Sequence, residues 1–369
     1  MWDQNAGLFF SSPTAAVVEE VAGRWLVELL GLPQSCSFAF VTGGQMANFT
    51  GLAAARHHVL ARSGWDVERD GLQGAPKLRV VVGAERHSTI DRALRYLGLG
   101  HGSARVVDAD DEGRMRPDAL RAALDEFDGP TIVCAQAGDV NSGSFDPLRE
   151  VCEIAHAHDA WVHVDGAIGL WANASERFRH LTDGVELADS WATDCHKWLN
   201  VPFDSGLVFC AHPRSHQAAM GVHASYLVHS EGAERDEMDW NPEFSRRARG
   251  FAVYAALRSL GRGGVVEIIE RCCDNARYFA QLLDAEDDVE VLNDVVLNQV
   301  LVRFLAQDGD HDRRNAAVVK GVQEEGTCWL TGSTWNGIGV MRISVSNWQT
   351  TREDVERSAA AIVRVARAI

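Results

Sequence analysis

Apolar residues follow two alternating patterns over most of the chain. Short apolar runs predict strands, and apolar positions three and four residues apart predict helices between them. The predicted strands are Ser37 to Val41, Leu78 to Val82, Ala104 to Val107, Thr131 to Gln136, Trp161 to Asp165 and Leu207 to Cys210. The predicted helices are Ala15 to Leu30, Ala47 to Leu60, Thr89 to Leu97, Pro117 to Phe127 and Pro147 to His158. This alternation predicts an α/β fold with a mainly parallel sheet that is covered by helices on both faces.

The pattern changes after Phe244, where longer helical stretches are followed by short strands. The elements predicted there are helices Phe251 to Leu260, Val265 to Leu283 and Arg352 to Ile369, and strands Val289 to Leu292, Val300 to Phe304 and Met341 to Val345. These elements predict a smaller α+β domain. We therefore expect a large domain over residues 1–255 and a small C-terminal domain over residues 256–369.

Composition restricts the possible partners and location. The chain has 369 residues, with 35 Lys and Arg against 52 Asp and Glu, and its formal net charge of −17 argues against nucleic acid as a partner. Its eight cysteines show no paired metal-site spacing, which favours reduced thiols and a cytoplasmic location. The sequence predicts neither a signal peptide nor a membrane span.

A lysine with an unusual context is the first candidate for chemistry. Lys197 follows a histidine in a segment rich in tryptophan and leucine, Trp191 to Leu199. An ammonium is costly to bury, and a lysine kept neutral by its surroundings is a good nucleophile toward carbonyl groups. Lys197 is therefore a candidate Schiff-base residue. The alternative, which this segment alone favours, is an ordinary lysine that reaches solvent from a surface turn.

An aspartate ends an apolar predicted strand, in Trp161-Val-His-Val-Asp165-Gly-Ala167. Ligands of parallel sheets bind at the carboxyl ends of the strands, so Asp165 is expected to face the ligand. The alternative is an aspartate that closes a turn or caps a helix.

Two further segments lie between a predicted strand and a predicted helix. In Thr42-Gly43-Gly44-Gln45 the glycines would let the backbone approach an anion at the start of a helix, although a plain strand–helix turn is at least as compatible. In Arg86-His87-Ser88 the histidine could stack on a ring or cap the helix.

A group of histidines raises the possibility of a metal site. His156, His158, His163 and Asp165 lie close together in sequence. His156 and His158 would diverge around a helix, and no third ligand is evident, so the pattern disfavours a metal.

Taken together, these segments resemble the group II decarboxylases that depend on pyridoxal 5′-phosphate (PLP), the family that contains aromatic-amino-acid and glutamate decarboxylases. The matching segments are Thr42 to Asn48, Arg86 to Ser88, Gly143 to Pro147, Trp161 to Ala167, Ala188 to Leu199 and Met341 to Trp348. The most specific part is His196-Lys197-Trp198 with Asp165 upstream.

The resemblance implies fold type I, the PLP-dependent transferase fold, and a homodimer with shared active sites. It implies that Lys197 carries PLP as a Schiff base and that Asp165 pairs with the ring nitrogen. His87 would stack on one face of the ring and Ala167 would pack against the other. The phosphate would be held around Gly44, Gln45 and His196. The implied reaction is loss of CO₂ from an L-amino acid to give an amine.

The resemblance also implies a proton donor. Ala224 to Ser230 resembles the mobile catalytic loop of the aromatic decarboxylases, in which Tyr226 would return a proton to Cα after CO₂ leaves. The alternative is a tyrosine that only packs.

Three departures from the family pattern stand out. Gly166 replaces an alanine, which is a mild change. Asp194 stands where aromatic decarboxylases have an asparagine near the phosphate; repulsion favours a carboxylate turned away and leaves the role of Asp194 open. The chain also starts inside the family's usual N-terminal region, so it is expected to be a fragment, a misassigned start or a genuinely short form.

Several alternative functions stay open at this point. They are an aldehyde synthase or carbon–carbon lyase of the same fold, a truncated non-catalytic paralogue, and a metal hydrolase that uses the histidines. The sequence does not indicate the substrate. Arg246, Arg247 and Arg342 could pair with a substrate carboxylate, but structural roles are favoured.

Overall fold

The computed structural model describes residues 5–222 and 234–369 and divides into two units. The first unit consists of the described parts of Met1–Ala137 and Phe145–Val265. The second consists of Gly138–Ser144 and Val266–Ile369. The short loop Gly138–Ser144 therefore belongs to the C-terminal unit, although it lies in the first half of the chain. The prediction of one boundary near residue 255 did not include this loop.

The first unit is built on a seven-stranded sheet in the order β1-β7-β6-β5-β4-β2-β3. Its strands are β1 Ser37–Val41, β2 Arg79–Gly83, β3 Arg105–Val107, β4 Thr131–Gln136, β5 Trp161–Asp165, β6 Ser190–Asp194 and β7 Gly206–Cys210. Only β7 runs opposite to the others, because it pairs antiparallel with both β1 and β6. The predicted α/β class with a mainly parallel sheet is confirmed.

Strand β6 was missing from the sequence prediction, although all five of its residues are buried. Its sequence Ser-Trp-Ala-Thr-Asp is only partly apolar. Ser190 is tolerated in the interior because its hydroxyl accepts a hydrogen bond from Trp161 Nε1 at 2.9 Å. Polar residues with a partner can be buried, and a hydrophobicity pattern does not reveal such a strand.

The described residues form helices in both units, and those of the first unit cover the seven-stranded sheet. The helices are α1 Pro13–Leu29, α2 Gly44–Arg62, α3 Val67–Asp70, α4 Ser88–Tyr96, α5 Pro117–Asp125, α6 Leu148–Ala157, α7 Cys195–Trp198, α8 Pro213–Met220, α9 Gly250–Asp284, α10 His311–Glu325 and α11 Arg352–Ala368. The predicted helices Phe251 to Leu260 and Val265 to Leu283 both lie within α9, which is interrupted by non-helical backbone at Gly261, where φ is +62° and ψ is −179°. In the described ranges no helix combines the length and apolarity needed to cross a membrane.

Helix α2 packs directly on the strands that carry the candidate residues. Its buried face includes Leu52 and the run Ala53 to Ala55. Gly51 makes the close approach possible, because a Cβ at this position would lie 2.6 Å from Cε1 of His163 in β5. A larger residue at position 51 would push α2 away from the centre of the sheet.

The second unit has a four-stranded antiparallel sheet in the order β10-β11-β9-β8. Its strands are β8 Val289–Val291, β9 Gln299–Phe304, β10 Thr331–Trp335 and β11 Ile338–Ser344. Strand β10 and helix α10 were not predicted. The sequence of β10, Thr-Gly-Ser-Thr-Trp, has one large apolar residue, and only that residue is buried.

A buried ion pair ties the start of α9 to α1 and β1. The side chains of Glu19 and Arg246 are both fully buried and form two hydrogen bonds of 2.7 and 3.0 Å. Arg246 also donates to the carbonyl of Phe40, and Glu19 accepts from the backbone N–H of Gly250. The predicted structural role of Arg246 thus agrees with the structure, because its guanidinium forms an ion pair with Glu19.

Replacing Arg246 should therefore destabilise the first unit strongly. Arg246→Met leaves the Glu19 carboxylate buried without its counter-charge, and the expected loss in the free energy of unfolding is about 3–5 kcal/mol. The neighbouring Arg247 has a side chain that is 61% exposed and pairs with Asp204. Arg247→Met is the matched control and should cost less than about 1 kcal/mol. Urea unfolding of the two variants measures the difference, and equal losses would contradict the assigned role of the buried pair.

Candidate active site

The carboxyl ends of the central strands meet at one edge of the seven-stranded sheet. Gln136 at the end of β4 is in register with Asp165 at the end of β5, and Asp165 is in register with Ala192 of β6. Strand β6 continues to Asp194 and leads directly into α7, which contains Lys197. The fold thus brings the predicted aspartate, at the end of β5, and the predicted lysine, in the helix directly after the adjacent strand β6, to the same edge.

Asp165 is a buried carboxylate with defined partners. The residue is only 6% exposed. Oδ2 accepts a hydrogen bond of 2.8 Å from Nδ2 of Asn48, and the hydroxyl oxygen of Thr89 lies 3.5 Å from the same atom. Oδ1 accepts from the backbone N–H of Ala167 at 3.2 Å. These contacts fix the orientation of the carboxylate.

A chain of buried hydrogen bonds extends from Asp165 into the interior through Asn48. Since Nδ2 of Asn48 donates to Asp165, its Oδ1 is the acceptor for Nε2 of His163 at 2.9 Å. His163 Nδ1 then accepts from the hydroxyl of Ser190 at 2.8 Å. Burial lowers the pKa of His163 to about 4, so the imidazole is neutral at pH 7 and carries its proton on Nε2. The direction of every bond in this chain is therefore determined.

His87 caps helix α4, which was one of its two predicted roles. Its Nδ1 accepts from the backbone N–H of Thr89 at 3.3 Å and lies 2.8 Å from the Thr89 hydroxyl. The hydroxyl in turn accepts from Asn48 at 3.1 Å. Because Nδ1 is an acceptor, a neutral His87 carries its proton on Nε2. Stacking of its ring on a cofactor stays a prediction.

The start of α2 faces Asp194. The backbone N–H of Gly44 donates to Oδ2 of Asp194 at 2.9 Å. The carboxylate faces the glycine segment, because an N–H at a helix N-terminus attracts a negatively charged acceptor. That Asp194 turns away from a bound phosphate stays a prediction. Gly206 makes room for the turn, since a Cβ there would lie 2.3 Å from the carbonyl carbon of Gly43.

The other predicted binding residues lie around this turn. A Cβ built on Gly44 would lie 3.9 Å from the Cβ of Ala167. Gln45 uses its side-chain Nε2 to donate to the carbonyl of Thr89 at 3.3 Å. Nδ1 of His196 lies 2.6 Å from Oδ1 of Asp194. Lys197 is half-buried.

The histidines that suggested a metal site do not converge. His156 pairs with Asp189, His158 pairs with Asp125, and His163 lies in the buried chain beside Asn48. Across residues 5–222 and 234–369, no group of three or more His, Cys, Asp or Glu side chains is arranged to hold a metal ion. The metal-hydrolase alternative therefore has no supporting cluster in this part of the chain.

The sequence prediction missed two residues of the site, Asn48 and Thr89. Asn48 was the last residue of a segment matched to the family but was given no role. It lies four residues after Gly44, one helical turn along α2, so the helical spacing could have placed it on the same face. Tyr226 lies outside the described residues.

Comparisons with known proteins agree on one family. The model of the pyridoxal-dependent decarboxylase conserved domain matches residues 5–305. An aromatic-L-amino-acid decarboxylase of Bacillus atrophaeus is 29% identical over 352 residues, which cover 92% of this chain and 71% of that protein. A 4-hydroxyphenylacetaldehyde synthase of Rhodiola rosea is 27% identical over 362 residues, covering 94% and 72%. The crystal structure of Oryza sativa TDC with PLP and tryptamine superposes with a TM-score of 0.91 at 26% identity, covering 99% and 78%.

Loss of the Asn48 amide should weaken the whole buried chain. Asn48→Leu keeps the approximate volume but leaves Nε2–H of His163 and Oδ2 of Asp165 without this partner. With about 1–3 kcal/mol for each of the two unsatisfied groups, the free energy of unfolding should fall by about 2–6 kcal/mol.

Thr50→Val on the same helix is the matched control. The Thr50 hydroxyl only donates to the carbonyl of Met46, one turn earlier in α2, so its loss should cost less than about 1 kcal/mol. Chemical denaturation of both variants decides the matter, and a loss for Asn48→Leu no larger than that for Thr50→Val would refute the buried chain.

Proposed function

Because the chain belongs to the pyridoxal-dependent decarboxylase family and is a PLP-dependent carboxy-lyase, we propose that it converts an L-amino acid to the amine and CO₂ at the edge formed by Asp165, Lys197 and Gly44. The observation that carries the proposal is the placement of a fixed, buried carboxylate at the end of β5, one strand away from the lysine that follows β6. The fold-type-I expectation is confirmed.

The residues at this edge fit the parts of PLP, with one exception. The buried Asp165 carboxylate fits a protonated ring nitrogen, because its orientation is fixed by Asn48 and Ala167. Lys197 would hold the aldehyde carbon through a Schiff base. The glycines at the start of α2 offer backbone N–H groups to a phosphate. The exception is Asp194, whose negative charge lies beside those N–H groups.

The chain's own residues would orient the reaction and control its protons. When bound, PLP supplies an electron sink for the electron pair that remains at Cα as CO₂ leaves. Asp165 would stabilise the positive charge on the ring nitrogen. His87 would flank the ring with a proton on Nε2, and Tyr226 would deliver the proton to Cα. The homodimer and the cytoplasmic location stay predictions.

The relatives suggest the class of substrate. The Bacillus atrophaeus protein is an aromatic-L-amino-acid decarboxylase, and a relative from Lophophora williamsii, 28% identical, is an L-tyrosine/L-DOPA decarboxylase. We therefore propose L-tyrosine, L-DOPA and L-tryptophan as the first substrates to be assayed for CO₂ release.

An aldehyde synthase is the second candidate function. It is supported by the aldehyde synthases of Rhodiola rosea and Petunia hybrida among the relatives. The phenol at position 226 favours the amine, because a proton donor at Cα ends the reaction before O₂ can react there.

The Schiff-base residue can be identified by chemical trapping. The chain has only three lysines, at positions 77, 197 and 320, and both Lys77 and Lys320 are exposed. Borohydride reduction of the PLP-loaded protein should bleach its visible absorption and leave a phosphopyridoxyl group on Lys197. Peptide mapping by mass spectrometry reads the position directly.

The variants Lys197→Ala, Lys77→Ala and Lys320→Ala complete this experiment. Lys197→Ala should lose the visible band and all measurable CO₂ release, whereas the other two should keep both. A label on Lys77 or Lys320 in place of Lys197 would overturn the site assignment.

Tyr226→Phe should separate loss of CO₂ from protonation of Cα. The ring is kept but the proton donor is removed, so CO₂ should still be released while amine yield falls. In air the product should shift to aldehyde, because the amino acid, O₂ and water then give aldehyde, ammonia, CO₂ and H₂O₂. The ratio of amine to H₂O₂ measures the shift.

Tyr96→Phe is the control for this change, because Tyr96 is 61% exposed at the end of α4. It should produce amine as the parent does. Unchanged amine yield and no H₂O₂ from Tyr226→Phe would rule out Tyr226 as the proton donor and leave His87 as the next candidate.

A further inference from the structure

We propose that the Asp194 carboxylate occupies the place at the start of α2 that the phosphate of PLP requires, and that it thereby weakens PLP binding to this chain. The inference rests on the proposed function, in which PLP binds at this edge. On this proposal Asp194 lowers the affinity of the chain for PLP. Removal of its charge should raise that affinity, whereas removal of a residue that helps to bind PLP would lower it.

The first turn of α2 is directed at one oxygen of Asp194. The backbone N–H of Gly44 donates to Oδ2 at 2.9 Å. A Cβ built on either Gly43 or Gly44 would lie 3.6 Å from the same oxygen. The open space in front of both glycines is therefore bounded by this carboxylate, and a phosphate that accepts the Gly44 N–H must displace it.

The carboxylate is poorly placed to be screened by water. Asp194 is only 5% exposed, so its charge interacts with a nearby phosphate in a medium of low dielectric constant. The basic side chain of His196 lies beside it, with Nδ1 2.6 Å from Oδ1 and a side chain that is 25% exposed. A protonated imidazole carries one positive charge. It can therefore offset at most one of the negative charges that the carboxylate and a phosphate would place close together.

The local fold does not require the negative charge of Asp194. The side chain also caps the short helix α7, where Oδ1 accepts from the backbone N–H of His196 at 3.5 Å. Asparagine and serine are equally good N-cap residues, because capping needs only an acceptor oxygen. A neutral residue at position 194 can therefore keep α7 while it releases the Gly44 N–H.

The test compares binding of PLP with binding of pyridoxal, which has a hydroxyl in place of the phosphate. The apo-protein, residues 1–369, is titrated with each compound and the visible absorption is followed. The variants are Asp194→Asn and Asp194→Ser, with circular dichroism to verify folding. Glu176→Gln, at a side chain that is 91% exposed, controls for the change in net charge.

Asp194→Asn and Asp194→Ser should bind PLP about tenfold or more tightly than the parent, because a charge–charge repulsion in a buried site is removed. Their affinity for pyridoxal should stay within about twofold, since no phosphate is present to be repelled. Glu176→Gln should match the parent with both compounds. Parental or weaker PLP binding in a folded Asp194 variant would overturn the proposal, and so would an equal gain for pyridoxal.

Failure of the proposed function gives a different result. If PLP does not bind at this edge, borohydride reduction labels Lys197 in neither the parent nor the Asp194 variants. If PLP binds and Asp194 has no effect, Lys197 is labelled in the parent and in the variants, and all of them bind PLP with equal affinity. The two failures are therefore distinguished by the same samples.

Discussion

The hydrogen bond between Asn48 and Asp165 is the interaction on which the site depends. A carboxylate at the end of a buried strand needs donors, and Asn48 is the side chain that reaches it at 2.8 Å. Asn48 lies four residues after Gly44 on α2, so the group that orients Asp165 and the glycine turn belong to one rigid helix. Displacement of α2 would alter both together. The absence of a side chain at Gly51 lets this helix lie close enough to β5 for the contact to form.

Much of this arrangement could be predicted from the sequence, for a physical reason. Strands β4 and β5 are mainly apolar in sequence, so their ends at Gln136 and Asp165 were correctly placed. The family resemblance was confirmed by a domain match over residues 5–305. The order of the motifs along the chain was sufficient to place the site at one edge of the sheet. Parallel strands bring their carboxyl ends to a common edge wherever the helices between them lie.

What could not be predicted depends on tertiary hydrogen bonds. Strand β6 is buried although its sequence is partly polar, because Ser190 finds partners in Trp161 and His163. The orientation of Asp194 follows from its contact with Gly44, 150 residues earlier in the chain. Neither contact leaves a periodic signal in the sequence, since each joins residues that are distant along the chain. Polar interactions thus account for the parts of the site that hydrophobic periodicity left undefined.

The scarcity of lysine offers a practical means of observing the molecule. Lys77 lies in the first unit and Lys320 in the second, and both are exposed. In the proposed site, where a Schiff base with the cofactor would shield Lys197, an amine-reactive dye would have one side-chain target in each unit. Each lysine can be changed to arginine, which keeps the charge and leaves a single labelled unit. A donor–acceptor dye pair on Lys77 and Lys320 would then report the separation of the two units during turnover by fluorescence energy transfer, without any engineered cysteine in a chain that already has eight.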